Sequence, residues 1–388
     1  MEPEFDRPVE EERPAASAPV QDSSQIPGGI RPHREQHRDF DWVLIGPHGL
    51  RAGWSILLFA CIYRLFRIIL GTIFYSAGLI GDTSDDSASS VLIAESIPFI
   101  SMVGAAVIIA FVEGRRVSSF NLAGPHRMMR FLSGMAAGFA ALSLLVGTLA
   151  WGGWLGFGPA ALSGAQALRY GALWCAAFLV VGAFEEGVFR CYLLFTLTRG
   201  VNFWWALAAV IAVCLYLFVT GGGNGAWGVY AIAALGFIPC LLLQQKAAQP
   251  TGAFWQAAWV TSTIFGYYHT HNNGENWIGV FAAGAIGFVF CVSVRLTGSA
   301  WWAIGCHAAW DWAETFFYGT ADSGMRGPGH YLTASPAGNP LWSGGSDGPE
   351  GSLLVLGVIL ILLLALLALY GRGKLQAPDP LAAEQLAG

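Results

Sequence analysis

Residues 184–190 read FEEGVFR and place three charged side chains, Glu185, Glu186 and Arg190, inside a long apolar run. The run extends over about residues 168–198, and a helix needs only about 20 mostly apolar residues to cross the hydrocarbon core of a bilayer. A charged side chain is costly there, so an ionisable residue inside such a helix is a candidate functional residue. The stretch therefore predicts a transmembrane helix that carries a polar site.

The composition of the whole chain agrees with a membrane protein. Of its 388 residues, 55% are hydrophobic and only 12% are charged, whereas charged residues make up about 25% of a soluble globular protein. The net charge of −5 is small and the arginines lie in short loops, so a nucleic-acid partner is not expected. The seven cysteines lie singly in apolar stretches without a CxxC pair, which argues against a disulfide framework or a cysteine zinc site.

The predicted fold is all-α, a polytopic transmembrane helical bundle with about ten membrane spans. These spans are the apolar stretches that are long enough to cross a bilayer. They are predicted at residues 53–78, 92–112, 133–157, 168–198, 202–220, 227–245, 252–270, 277–296, 300–318 and 352–371.

The distribution of arginine and lysine predicts the orientation, because cytoplasmic loops carry an excess of these residues. Four arginines lie between residues 31 and 51, before the first span, whereas the loop after that span holds three aspartates and no basic residue. Ten spans place both termini in the cytoplasm and the loop 319–351 outside. Residues 1–41 are polar and carry too little apolar surface to fold alone, so they are predicted to form a disordered cytosolic tail.

The two glutamates of the opening stretch have different expected roles. Glu186 and Arg190 are four residues apart and share a helix face, so they can form an ion pair. Glu185 points about 100° away from Glu186 and has no local partner, which suits a general base that works near neutral pH. The alternative is that all three charges only lock helices together.

Two further polar clusters lie on later apolar helices. Residues 265–276 read FGYYHTHNNGEN, in which His269 closes a helix and His271 begins a polar turn; a helix cap is the alternative role for His269. Residues 307–311 read HAAWD, so His307 and Asp311 share a helix face. A polarised His307 can stabilise a developing oxyanion, and a purely structural hydrogen-bonded pair is the alternative.

Other charged and aromatic residues receive structural interpretations. Arg64, Arg67 and Glu95 lie inside the first two spans and are expected to pair across helices or to reach the interface. Arg169 and Glu314 lie near helix ends, where a charge is easily tolerated. The four tryptophans at positions 301, 302, 310 and 312 are expected to pack or to lie at the interface.

Taken together, the three clusters resemble the signature of the CPBP family of intramembrane proteases, which includes CAAX-processing prenyl proteases of the Rce1 type. That signature has Glu-Glu-x-x-x-Arg, Phe-x-x-x-His and His-x-x-x-Asn in this order on successive membrane helices. The matching residues here are Glu185, Glu186 and Arg190, then Phe265 and His269, then His307 with Asp311. The chain departs from the signature at Asp311, which replaces an asparagine, and in the long segment 202–245 before the second motif.

The resemblance implies an active site with Glu185, His269 and His307 as catalytic residues. Glu185 would activate a water that His269 positions, and His307 would stabilise the oxyanion. Glu186, Arg190 and Asp311 would support these residues. A divalent metal such as zinc on Glu185, His269 and His307 and a metal-free, glutamate-activated water are equally compatible with the residues. Straight helices would place His307 nearer the cytoplasmic side than His269.

The predicted function is that of an intramembrane endopeptidase in the bacterial inner membrane. Its expected partners are the lipid bilayer and a membrane-associated protein or peptide substrate, with a CAAX-type C-terminal tail as one substrate class. A proton- or ion-coupled transporter that uses the buried charges, or a non-catalytic immunity or scaffold relative, is the alternative. The predicted segments are the tail at 1–41, N-terminal membrane helices at 42–160, a protease core at 161–318, an extramembrane Gly/Pro-rich loop at 319–351, and a last helix with a short cytosolic tail at 352–388.

Overall fold

The computed structural model of the chain describes residues 41–46, 49–81, 87–200, 250–272 and 274–371. The predicted tail, except Asp41, and the predicted spans 202–220 and 227–245 lie outside the described residues. Within these ranges the chain is mostly helical, with two short two-stranded sheets. The helical prediction is therefore confirmed, although it missed the strands.

The elements follow one another from Asp41 to Tyr370. The α-helices are α1 (Asp41–Leu44), α2 (Ala52–Ser76), α3 (Ala88–Val112), α4 (Arg127–Trp151), α5 (Gly164–Glu186), α6 (Leu194–Thr198), α7 (Pro250–His269), α8 (Trp277–Thr297), α9 (Trp301–Trp312), α10 (Pro340–Ser343) and α11 (Leu354–Tyr370). The strands are β1 (Ile45–Gly46), β2 (Gly49–Leu50), β3 (Leu155–Phe157) and β4 (Ala334–Pro336). Two π-helices, Gly187–Leu193 and Ala313–Tyr318, and two 3₁₀-helices, Val117–Ser119 and Pro349–Gly351, complete the described chain.

Five helices of the described chain are long and apolar enough to cross a membrane. They are α2, α3, α4, the continuous helix Gly164–Thr198, and α8. The last helix, α11, is apolar but only 17 residues long. The outward face of α2 exposes large apolar side chains, among them Leu65 and Ile68, each 56% exposed, and such a surface is suited to lipid rather than water. The protein is thus an integral membrane protein, while the predicted count of ten spans is not confirmed.

The predicted span 133–157 is wrong at its C-terminal end. Helix α4 ends at Trp151 because two glycines follow, and Gly153 adopts a φ of 75°, a conformation that glycine takes at little cost. Residues Leu155–Phe157 then form β3, which pairs antiparallel with β4. The loop after α4 is therefore joined to the segment 319–351.

Helix α9, which carries His307, is held by unusually close packing against α4 and α5. A Cβ atom at Gly134 or Gly138 of α4 would collide with the backbone carbonyl of Trp302 or Cys306. Reciprocally, a Cβ at Gly305 would collide with the carbonyl of Phe131. On the other side, a Cβ at Gly182 of α5 would lie 3.1 Å from the backbone nitrogen of Ala308. Small residues allow membrane helices to approach this closely, so the position of α9 is fixed.

Two ends of the bundle can be distinguished by their contacts. At one end, Glu113 pairs with Arg115 and Arg199, both at 2.7 Å, and accepts a hydrogen bond from Ser55. At the other end, the turn before α8 contacts the segment 319–351, since Asn276 donates its backbone N–H to Asp347 and its side-chain amide to the carbonyl of Gly351. The first end is the arginine-rich end that is predicted to face the cytoplasm, and this orientation stays a prediction.

Candidate active site

Glu186 is the centre of the polar site. Its side chain is fully buried, and its Oε1 lies 3.2 Å from Nη1 of Arg190 and 2.9 Å from Nδ1 of His307. The pair with Arg190 is the one that the sequence spacing predicts. The contact with His307 joins the first and third motifs and could not be read from the spacing, because it connects residues 121 positions apart.

A socket of aromatic rings and one glycine holds Arg190. Its guanidinium lies over the ring of Phe265, 4.2 Å from the centroid, and 5.4 Å from the centroid of Phe290. Such cation–π contacts stabilise a desolvated cation. Gly287 leaves the necessary room, because a Cβ there would collide with Nη2 of Arg190. Asn121 donates its amide to the backbone carbonyl of Arg190 at 2.8 Å.

A π-helix begins directly after Glu186 and contains Arg190. A π-helical turn is an α-helix with one inserted residue, and it is frequent at functional sites. The third motif has the same feature, since α9 continues into the π-helix Ala313–Tyr318 just after Asp311. Nothing in the sequence predicts either π-helix.

His307 lies among three carboxylates. Besides Glu186 at Nδ1, its Nε2 lies 3.4 Å from Oδ2 of Asp311 and 3.7 Å from Oε2 of Glu185. A carboxylate only accepts hydrogen bonds, so Nδ1 carries a proton and donates it to Glu186. When the ring is doubly protonated, Nε2 carries a second N–H, which lies near Glu185 and Asp311.

Glu185 and His269 face the same space as His307. Oε2 of Glu185 is buried and has no hydrogen-bond partner. Nδ1 of His269 lies 2.9 Å from the carbonyl of Phe265, and because that oxygen only accepts, Nε2 is left as the free nitrogen of the neutral ring. Glu185, His269, His307 and Asp311 all line one cavity of about 890 Å³. Straight helices would place His269 and His307 at different depths in the membrane, but both residues line this cavity.

Three more carboxylates line this cavity and were not predicted as site residues. Glu95 lies in α3, and the presence of a carboxylate inside this apolar span is the sequence feature that could have identified it as a site residue. Asp322 and Glu350 belong to the loop 319–351. Burial and the nearby carboxylates of Asp311 and Glu350 raise the pKa of Asp322 well above its ordinary value. No sequence pattern could reveal these two residues, because only the folded loop brings them to the helices.

The three predicted catalytic residues do not form a preformed metal site. Among the described residues, the one group of three or more ligand atoms that all lie within 4.8 Å of one another is formed by Glu314, Asp322 and Glu350. His307 in addition directs both ring nitrogens at carboxylates. The zinc hypothesis for Glu185, His269 and His307 stays a hypothesis.

Comparison with known proteins gives one family. Residues 241–313 match the family model described as Rce1-like, type II CAAX prenyl endopeptidase Rce1-like. The match supports membership in the CPBP family of membrane proteases, in agreement with the three motifs. No curated protein and no solved structure matches the chain.

The matched segment covers less than half of the chain and contains only two of the three motifs. Phe265, His269, His307 and Asp311 lie within it, whereas Glu185, Glu186 and Arg190 lie before it. The first motif is linked to the matched segment by geometry, through the contact of Glu186 with His307.

Proposed function

We propose that this protein is an intramembrane endopeptidase that hydrolyses a peptide bond by means of a glutamate-activated water. The observation that carries the proposal is the single cavity in which Glu185, without a hydrogen-bond partner, faces His269 and His307. A transporter would equally need buried charges, but the family match favours a protease.

In this mechanism Glu185 removes a proton from a water molecule in the cavity while the water attacks the carbonyl carbon of the scissile bond. The free Nε2 of His269 accepts a hydrogen bond and orients that water. The N–H at Nε2 of His307 donates to the oxyanion that forms, and such a donor typically contributes a factor of about 10²–10³ to the rate. Glu185 then returns its proton to the leaving amine, which completes hydrolysis.

The remaining motif residues position the reacting groups. Glu186 fixes the ring of His307 through Nδ1, and Arg190 compensates the charge of Glu186. Asp311 adds negative charge beside Nε2 of His307. The side chain of Asp311 can also accept from that nitrogen, as an asparagine oxygen at this position would.

The proposed substrate is a membrane-associated protein or peptide, and the family description suggests a CAAX-type C-terminal tail. The cavity is lined at one end by Ile80, His271 and Gly324, which lie in loops that the arginine pattern places outside the cytoplasm. If that orientation holds, the cleaved segment is presented from the extracytoplasmic side. The bacterial inner membrane is the proposed location.

The test compares the proteomes of cells that express the wild-type protein, Glu185→Gln or the control Glu275→Gln. We expect at least one cleavage product that is missing only in Glu185→Gln, while all three proteins reach the membrane at equal levels. Identical cleavage products in all three strains would refute the assignment. Ion flux in proteoliposomes that depends on Glu185, with no cleavage, would support the transporter alternative instead.

A further inference from the structure

A second acidic cluster lies at one wall of the cavity and has no role in the mechanism above. Glu314, Asp322 and Glu350 each place one carboxylate oxygen within 4.8 Å of the others. They come from three separate segments: the π-helix after α9, the following loop, and the 3₁₀-helix before α11. The fold therefore brings together three negative groups that the sequence keeps apart.

The cluster contains a buried carboxylate that lacks a partner. Glu314 is fully buried, its Oε2 accepts from the indole of Trp310 at 3.1 Å, and its Oε1 has no hydrogen-bond partner. Close by, Asp347 is also fully buried and its Oδ1 has none either. Removing a carboxylate from water without compensation costs several kcal/mol, so Glu314 needs either a proton or a neighbouring positive charge.

The described protein does not supply that charge. Arg326 is the one arginine or lysine between α9 and residue 371, and its guanidinium donates to the carbonyl of Ala334. None of the ion pairs among the described residues joins the cluster to a lysine or arginine. A bound cation would satisfy the group.

The chemistry of the donor atoms selects the type of cation. All three ligands are carboxylates, which suit hard divalent ions such as Ca²⁺ and Mg²⁺. Calcium binds oxygen at about 2.3–2.6 Å, so oxygens on opposite sides of one ion lie up to about 5 Å apart, in agreement with the spacing here. Thr315 donates a hydrogen bond to Asp322, and Ser323 donates one to Glu350, at 3.1 Å each. Such outer hydrogen bonds orient metal ligands.

We propose that Glu314, Asp322 and Glu350 bind one divalent cation, calcium by preference, which ties the segment 319–351 to the end of α9. The site is separate from Glu185, His269 and His307, and the proposal does not depend on proteolysis. It lies at the end of the bundle that the arginine pattern places outside the cytoplasm, where millimolar calcium sites are common in proteins.

Trp310 provides a spectroscopic reporter for the site. Its indole N–H donates to Glu350 at 2.6 Å as well as to Glu314, so an ion held by these carboxylates lies next to the ring. Terbium replaces calcium at oxygen sites and emits when a nearby tryptophan transfers its excitation. The full-length protein, purified in detergent and freed of metal with a chelator, is titrated with Tb³⁺ for luminescence and with Ca²⁺ or Mg²⁺ for calorimetry.

We expect one saturable Ca²⁺ site that weakens by at least about tenfold in Asp322→Asn and in Glu350→Gln. Glu275→Gln removes a carboxylate of the same region outside the cluster and should bind as the wild type does. Melting curves in the chelator show whether each variant is folded. Three results would overturn the proposal. The first is the absence of saturable binding below about 10 mM Ca²⁺ or Mg²⁺. The others are unchanged affinity in folded Asp322→Asn and Glu350→Gln, and an equal loss of affinity in Glu275→Gln.

Discussion

Replacing Glu186 or Glu185 with glutamine should have opposite effects on stability, although the two residues are neighbours. Glu186 is fully buried and contacts the guanidinium of Arg190 and the imidazole ring of His307. Glu185 lies 3.7 Å from Nε2 of His307, has an oxygen without any hydrogen-bond partner, and faces the carboxylate-rich cavity. We therefore expect Glu186→Gln to destabilise the fold and Glu185→Gln to be neutral or stabilising.

The contact distances set the size of the first effect. With an effective dielectric constant of about 20, unit charges 3.2 Å apart, as in the pair of Glu186 with Arg190, attract by about 5 kcal/mol. Part of this is offset by the desolvation of Glu186, and glutamine still accepts hydrogen bonds. Breaking one member of a buried ion pair typically costs about 3–5 kcal/mol, and we expect a loss of free energy of unfolding in that range.

The assay is reversible unfolding in mixed detergent micelles with increasing SDS, which gives a free energy for each variant without the need for a substrate. A double variant, Glu186→Gln with Arg190→Met, removes both charges and leaves an apolar side chain against the rings of Phe265 and Phe290. It should lose less stability than Glu186→Gln alone, because no buried cation is left unpaired.

Two results would refute this reasoning. A free energy of unfolding for Glu186→Gln within about 0.5 kcal/mol of the wild-type value would show that the pair contributes nothing. A Glu185→Gln variant that loses as much stability as Glu186→Gln would show that Glu185 is a structural residue, and it would remove the argument for Glu185 as the free base.

Three further predictions concern other parts of the molecule. Gly138→Ala should lower the free energy of unfolding by about 1–3 kcal/mol, because its Cβ would collide with a backbone carbonyl of α9. The control Gly147→Ala, on the same helix, places its Cβ in open space and should be neutral or slightly stabilising. Equal effects of the two substitutions would exclude the close helix contact. Asp311→Asn should keep the cleavage products of the wild type, and their complete loss would give the carboxylate a task of its own. Burial and neighbouring carboxylates raise the pKa of Glu275 to about 8 and that of Asp347 to about 7. The folded state therefore holds these protons more tightly than the unfolded state, so the free energy of unfolding in a chelator should fall as pH rises from about 4 to 8. The double variant Glu275→Gln with Asp347→Asn should lose this pH dependence. The same dependence on pH in the double variant and the wild type would contradict the prediction.

The sequence predicted the contacts that act within one helix. The pair of Glu186 with Arg190 and the proximity of His307 and Asp311 both follow from a spacing of four residues, and the structure contains both. The contact of Glu186 with His307 depends on how α5 packs against α9, which no local pattern encodes.

The errors have equally specific causes. The predicted span 133–157 continues across Gly152 and Gly153, because hydropathy alone does not indicate that glycine conformation ends the helix at Trp151. The position of Glu314 near a predicted helix end indicates an easily tolerated charge, yet the residue is fully buried. Its burial results from the loop 319–351 folding back over α9, a tertiary contact that composition cannot predict.

The π-helix after Glu186 has a consequence for how this site can change. Each such turn contains one residue more than an α-helical turn, so deleting one residue between Glu186 and Arg190 would restore the α-helix and shorten the spacing of this pair from four residues to three. The four-residue spacing that pairs Glu186 with Arg190 would then be lost, even if every side chain of the motif were kept. The number of residues in this turn is therefore as much a part of the site as their identity, and shortening it should be less tolerated than substituting its apolar members.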